Sequence, residues 1–559
     1  MTSTYTVSDL IAEFLSACGV STVFGIASVH NIPMLDSISR GNAIRFVMTR
    51  GELGAGHMAD GYARASGKLG VLLTSTGPAA ANAVTGLLEA RFAGSPVLHI
   101  TGQTSTKFVD RGMGNVHDVA DQLTMLRSVG KSAWRIRSPE SALETLVQAV
   151  TDALTPPMGP VSIEVPIDIQ RMPVDRPSNL NEGVIVLPAP KPPSDADIDR
   201  LVEIIRAAKR PLLWLGRGAA NATAPTTRLL DLGFGMVTSW SGRGVVSDSH
   251  PRNLGALNGL GLPSVEEFYK TADLLLVAGS RIRGHETGDF SVVLPTNLVQ
   301  IDIDPAANGR TYPNTYFVCA DAEATLAAIV QRLGGKLDLD PKFREEFENL
   351  KRDTRAAFKE TLGPYAGFAE TLRAVVPDDA VWARDITINN STWGNKLFKL
   401  DSLKQNIYPV GAGIGQGLSL GIGAALGVDG RKTVIMNGDG GFYLNMMELW
   451  TAVQENLNVT MLVMNDRGYG VIRQIQDKVA DGRRRFDKLL GPEIEDVAHI
   501  AGIPFWRVTT AQEFGPQVAK AIAVNGPSLV EVDMTAIGDH PPYFPYGPKA
   551  ALKPLAAQS

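Results

Sequence analysis

Cysteine is nearly absent: Cys18 and Cys319 are the two in 559 residues, too few for a disulfide framework or a cysteine-built zinc site, which suits a reducing compartment. Histidine is scarce as well, with eight in the chain, so each position carries information. No apolar stretch is long enough to span a bilayer, and the opening MTSTYTVSDL lacks the basic and apolar regions of a secretion signal. A soluble cytoplasmic protein is expected. The charges nearly balance, 58 acidic against 53 basic residues for a net of -5, and no patch or tail of either sign appears. Nucleic acid and membrane partners are therefore not expected. A chain of this length accommodates about three domains, each burying a core of its own.

What is present is a βα alternation repeated in three blocks. To about residue 185, helix-like text such as VSDLIAEFLSACGV alternates with the strand-like runs TVFGI, IRFVMT, LGVLLTS, SPVLHITG and GPVSIEVP. VIVLPAPKPPSDAD reads as a stiff Pro-rich linker. A second block over 195–345 carries RPLLWLGRG, ADLLLVAGSR and TNLVQIDIDP, and the charged helical stretch PKFREEFENLKRDTRAAFKETLG leads to a third over 360–540. The tail 541–559, rich in Pro, is expected to be irregular. The expected fold is α/β, with three doubly wound parallel sheets.

In the third block, NGDGGFYLNMMELWTAVQENLNVTMLVMNDRGYG (437–470) follows one apolar strand, crosses a helix and ends a second strand. A parallel crossover brings the C-terminal ends of both strands to one sheet edge, so Asp439 and Asn465-Asp466 should lie side by side. Two converging carboxylates need a cation, and hard oxygen ligands beside Gly438 and Gly440 suit Mg²⁺ held partly by a phosphate. Taken singly, Asp439 also reads as a helix cap and Asp466 as a turn opener. In the first block, FVMTRGELGAGHMADGYARASGK sets Glu52 just past a strand among small residues, where an acid also suits a first helical turn.

These strings resemble the thiamine diphosphate (ThDP) enzymes, whose signature is Gly-Asp-Gly followed after one crossover by Asn-Asn. The resemblance extends through the Glu52 region, STGPAAANAVTGLLEA, the middle block and YPVGAGIGQGLSLGIGAALG, and is nearest to the acetolactate synthase, pyruvate oxidase and benzoylformate decarboxylase branch. It implies Mg²⁺ bound by Asp439, Asp466 and the carbonyl of Gly468, with Asp466 replacing the usual second Asn. It implies a cofactor site of Ala412, Gly413, Ile414, Gly438, Gly440, Gly441, Tyr469, Gly470 and Val471. Ile414 would be the wedge beneath a bent cofactor, with plain core packing as its alternative. Glu52, coming from a partner subunit, would hydrogen-bond the cofactor's N1' and tune its 4'-amino group as the base, with burial raising the carboxyl pKa. The assembly implied is a homodimer or homotetramer.

On the substrate side, His30 in VFGIASVHNIPML and His117 in DRGMGNVHDVADQL occupy first-domain loops and are candidate catalytic residues, each open to a reading as a satisfied loop histidine. Gln122, Ser28 and, by position in the middle domain, His285 are weaker candidates. His250 reads as a turn residue, His99 and His499 as core, and His57 lies on the helix after Glu52. Ile475 replaces the Trp of acetolactate synthases, Gly51 their His before the glutamate, and Val29 and Val116-His117 replace the acid and His-His of pyruvate decarboxylases. The activity implied is decarboxylation of a small-molecule 2-oxo acid, with or without carboligation. The alternatives are an acyl-CoA lyase or decarboxylase, with ADP in the middle domain against Arg281 and Arg283, or an oxidase with FAD there; a non-catalytic relative retaining the fold is disfavoured by the intact Glu52. LLWLGRGAAN lacks a clean Gly-x-Gly-x-x-Gly.

Overall fold

In the computed structural model, residues 4–543 are described apart from 179, 181 and 182. The first sheet contains β1 (Thr22–Gly25), β2 (Arg45–Met48), β3 (Gly70–Thr74), β4 (Val97–Gln103), β5 (Ser132–Arg135) and β6 (Val161–Pro166), in the order β2-β1-β3-β4-β6-β5. The central sheet contains β7 (Pro211–Leu215), β8 (Gly235–Thr238), β9 (Leu274–Ala278), β10 (Leu298–Asp302) and β11 (Tyr316–Cys319), in the order β11-β10-β9-β7-β8. The third contains β12 (Val381–Arg384), β13 (Asn406–Ile407), β14 (Thr433–Gly438), β15 (Val459–Asn465), β16 (Phe505–Val508) and β17 (Ser528–Asp533), in the order β13-β12-β14-β15-β17-β16. Every pairing between these strands is parallel. The expected three parallel α/β sheets are therefore present.

The first and third sheets share one strand order. In each, the chain runs from its first strand to one neighbour and then returns to the other side, so the switch points lie at β1/β3 and β12/β14. Ligands of open α/β sheets bind in the crevices at such points, because the loops there splay apart. The inner strands are buried along almost their whole lengths and correspondingly apolar, as β7 (PLLWL) and β14 (TVIMNG) illustrate.

The domains meet through shared cores. The charged helix Phe343–Glu360 sets Phe343, Phe347 and Phe358 into a cluster that joins Leu212 and Trp214 of the central sheet to Trp382 and Val530 of the third. Between first and third domains, helix Glu52–Ser66 packs on helix Gly417–Leu426 almost backbone to backbone. A Cβ on Gly61 would stand 2.0 Å from the Leu420 carbonyl oxygen, and one on Gly423 would stand 2.0 Å from that of Met58.

Three expectations need correction. The last residues of the expected linker form the start of a helix, Asp195–Ala207, because Ser194 and Asp197 close a capping box. His499 is exposed rather than core, since it falls on the solvent side of helix Ile494–Ala501. The first-domain runs omitted edge strand β5, whose text KSAWRI mixes polar and apolar residues. Of the C-terminal tail, Pro541–Tyr543 are irregular as expected, and 544–559 lie outside the described residues. No helix among the described residues is long and apolar enough to cross a membrane.

Gly61→Ala and Gly423→Ala are expected to destabilise the fold by at least about 1–3 kcal/mol through overpacking against main chain. Gly41→Ala, where an added Cβ meets nothing within 4 Å, should be neutral or slightly stabilising. Chemical denaturation followed by tryptophan fluorescence would show the ordering.

Candidate active site

In the third sheet, next to the β12/β14 switch point, the parallel register of β14 and β15 pairs Gly438 with Met464, so Asp439 and the Asn465-Asp466 turn leave the sheet side by side. Asp439 opens helix Asp439–Asn445 and is 1% exposed, and its Oδ1 has no hydrogen-bond partner. Burial raises both carboxyl pKa values, and at Asp466 the Asp439 charge adds to it. Both side-chain polar atoms of Asn437 and Oε1 of Gln416 are also buried without partners. Buried polar atoms left unpaired at one sheet edge suit a polar guest, and the paired carboxylates suit a cation. Among the described residues no three His, Cys, Asp or Glu side chains converge, so a cation here would draw further ligands from main-chain oxygens or a guest.

The glycines bring the main chain close to this edge. A Cβ on Gly440 would stand 2.8 Å from the Tyr469 ring, one on Gly441 2.1 Å from Asp385 Oδ2, and one on Gly470 2.0 Å from Asp466 Oδ2. Tyr469 N donates to the Asp487 carbonyl at 2.7 Å, which tucks the Gly468–Gly470 turn against a neighbouring loop. Asp385, directly after β12, accepts from Gly415 N at 2.8 Å and Ile386 N at 2.8 Å; burial pushes its carboxyl pKa up to about 6 against these donors. Asn445 Nδ2 donates to the Gly415 carbonyl at 2.6 Å. Loop 411–416 is thus held from both sides. At its exposed turn Ala412 adopts φ 63°, a strained conformation for a non-glycine residue, and Ile414 is 43% exposed. Ile414 is therefore not a core residue.

The other half of the expected site lies in the first domain. Glu52 opens helix Glu52–Ser66, but it is only half-buried and its carboxylate accepts from Asn82 Nδ2 at 3.1 Å. The expected apolar burial is absent within one chain. The two amides before it are clamped by Glu448 of the third domain: Arg50 N and Gly51 N each lie 3.0 Å from Oε1. Gly54 makes room, since a Cβ there would stand 2.1 Å from the same oxygen.

His30 and His117 meet edge to face, with ring centroids 5.3 Å apart, beside the β1/β3 switch point, and His30 Nδ1 lies 3.4 Å from Ser75 Oγ. Burial, with the His117 charge second, lowers the His30 pKa. Ser28 Oγ is buried without a hydrogen-bond partner. Gln122 does not reach this opening. It is 1% exposed, with Oε1 accepting from Gly77 N at 2.6 Å and Nε2 donating to Glu164 at 3.0 Å, so it positions a loop instead. His285 packs edge to face on Trp240 at 4.8 Å in the central domain. Arg281 and Arg283 donate to the carbonyls of Phe92 at 2.7 Å and Val410 at 2.8 Å, tying the central domain to the other two.

Residues 5–125, 198–329 and 388–532 match the N-terminal TPP binding, central and C-terminal TPP binding domain models of thiamine pyrophosphate enzymes. The chain is 32% identical over 499 residues to a probable 2-ketoarginine decarboxylase of Pseudomonas aeruginosa, covering 88% of this chain and 86% of the relative. It is 28% identical over 555 residues to the acetolactate synthase isozyme 1 large subunit of Escherichia coli, covering 97% and 96% respectively. A probable acetolactate synthase large subunit of Methanococcus aeolicus is 27% identical over 551 residues, covering 94% and 91%. The chain belongs to the thiamine diphosphate enzyme family.

This ThDP-dependent enzyme sits in the acetolactate synthase and decarboxylase branch of that family. Sequence reasoning missed three residues that build its site. Asp385 carried a usable signal, an acid ending the apolar run VWAR, as Asp439 ends its own strand. Glu448 and Arg473 carried none, because each looks like an ordinary helical charge until its partners are seen. Glu448→Ala should leave the part-buried N–H groups of Arg50 and Gly51 without their acceptor, at about 1 kcal/mol each. Urea titration is expected to show that loss, and ThDP-dependent turnover should fall with it because the stem of Glu52 is freed.

Proposed function

We propose that this chain is a Mg²⁺- and ThDP-dependent 2-oxo acid decarboxylase, with transfer to an aldehyde or ketone acceptor as its second outcome. The observation that carries the reading is the Asp439 carboxylate, buried with an unpaired oxygen beside Asp466 at the ends of β14 and β15, next to the β12/β14 switch point. Asp439, Asp466 and the Gly468 carbonyl would hold the metal, and the glycines around them would let a diphosphate approach the main chain. When bound, ThDP supplies an electron sink for the bond broken next to a carbonyl. Glu52 would hold or share a proton at its carboxyl oxygen, and Ala412 would offer its carbonyl to an amino group. Ile414, Val471 and Ile475 would form an apolar wall that disfavours the substrate's carboxylate charge, opposite His30 and His117.

The relative named as a 2-ketoarginine decarboxylase supports decarboxylation, and puts a guanidino 2-oxo acid first among substrates to test. The acyl-CoA reading is less favoured, because Arg281 and Arg283 each donate to main-chain carbonyls of other domains. For a flavin or ADP in the central domain, the amides of Gly216 and Gly218 are already committed to the Ala278 and Gly279 carbonyls. Purified protein without a flavin absorption band would agree with this preference.

CO₂ release measured across pyruvate, branched, aromatic and guanidino 2-oxo acids and oxalyl-CoA is expected to show turnover of a free acid that requires both ThDP and a divalent cation. Glu52→Gln should lower the rate about 10²–10⁴-fold, and Asp439→Ala should abolish cation-dependent ThDP binding. Turnover of the CoA thioester alone would overturn the choice, and unchanged rates in Glu52→Gln would overturn the mechanism.

The half-buried Glu52 also supports a homodimer or homotetramer in which a second copy's third domain covers it. Sedimentation of the active enzyme should give a dimer or larger species, and an active monomer would refute the arrangement.

A further inference from the structure

The metal edge proposed above carries two adjacent carboxylates where a diphosphate must also fit. One cation is built into the same turn. Arg473, on helix Gly470–Val479, folds back so that Nη2 donates to the Asp466 carbonyl at 2.8 Å and stands 3.2 Å from Asp466 Oδ1. Its Nε lies 3.3 Å from Asp487 Oδ2. Gly468 leaves the path open, since a Cβ there would stand 2.9 Å from Arg473 Nη2. The side chains of Arg473 and Asp466 are each 19% exposed, so water and salt screen the pair weakly.

We infer that Arg473 is a positioning residue that offsets the charge of Asp466, so that the pair behaves toward a bound diphosphate as a single neutral oxygen ligand would. The inference rests on the proposed Mg²⁺ and ThDP site. Its signs follow from Coulomb's law. Removing the guanidinium leaves the carboxylate uncompensated, which repels diphosphate and attracts a divalent cation. Removing the carboxylate leaves the guanidinium facing Asp487 alone and the turn one charge more positive, which favours diphosphate and disfavours the cation. Removing both restores the original balance. A merely structural arginine would instead weaken both ligands together.

The test is a double-mutant cycle on the full-length apo-protein, with Arg473→Gln, Asp466→Asn and the double variant. Free Mn²⁺ is followed by electron paramagnetic resonance without ThDP, and ThDP affinity by calorimetry at saturating Mg²⁺. Arg473→Gln is expected to weaken ThDP about tenfold while Mn²⁺ binds equally or more tightly. Asp466→Asn alone should tighten ThDP while weakening Mn²⁺, and the double variant should return to within about threefold of the wild type, so that the tenfold loss, ~1.4 kcal/mol, is recovered. Thiamine monophosphate, with less charge, should lose less than the diphosphate. Arg473→Lys keeps the charge without the fork and should stay within about threefold of the wild type. A double variant as weak for ThDP as Arg473→Gln alone, parallel loss of Mn²⁺ and ThDP in Arg473→Gln, or Arg473→Lys as poor as Gln would overturn the pairing. A wild-type protein that binds neither ligand would overturn the functional reading as well.

Discussion

The candidate site depends first on how closely two helices approach. Helix Glu52–Ser66 of the first domain and helix Gly417–Leu426 of the third touch through main chain at Gly61 and Gly423. Where main chain meets main chain at these glycines no side chain can rearrange, so the contact admits one seating rather than a range. Glu52 heads one helix and loop 411–416 feeds the other. Their seating therefore fixes where the first-domain carboxylate stands relative to the third-domain loop of the same chain.

Carboxylates then cross the same interface in opposite directions. Arg64 is buried between Asp60 and Glu89, and its Nη1 donates to the Tyr408 carbonyl at 2.6 Å. Glu89 accepts from Val410 N at 2.6 Å and Gly411 N at 2.9 Å, so a first-domain acid holds the stem of the third-domain loop. Glu448 does the reverse, holding the residues before Glu52. Burying these charges costs desolvation that pairing only offsets. Their effect is better understood as geometric, because Glu89 and Glu448 each accept from main-chain N–H groups directly beside a site residue.

Much of this was legible in the sequence where a residue breaks a local pattern. An acid ending an apolar strand, a run of glycines, and a crossover between two such ends sufficed to bring Asp439 and Asp466 together, because parallel topology leaves little freedom. Residues that act through long-range partners were not legible. Gln122 looked like a loop residue beside substrate and is instead a buried strut, since its partners Gly77 and Glu164 lie 45 and 42 residues away. His499 sits in apolar text, yet its helix turns it to solvent. The environment of Glu52 could not be read either, because its half-burial and its contact with Asn82, 30 residues away, arise only in the folded chain.

The shared strand order of the first and third sheets gives the molecule two equivalent crevices filled with different chemistry. The β1/β3 crevice offers His30, Ser75 and His117, and the β12/β14 crevice offers acids, amides and close main chain. Each is flanked by apolar side chains left in the open: Val29, Met113 and Val116 beside the first, and Ile414, Leu444 and Ile472 beside the second. Exposed apolar groups gathered around a polar crevice agree with the proposed dimer or tetramer. A second copy, turned so that its first-domain crevice faces the third-domain crevice of its partner, would cover both sets at once. The same contact would bring Glu52 toward loop 411–416 of the partner and enclose a charged guest where water is scarce, the condition under which Asp439, Asp466 and Glu52 act most strongly on it.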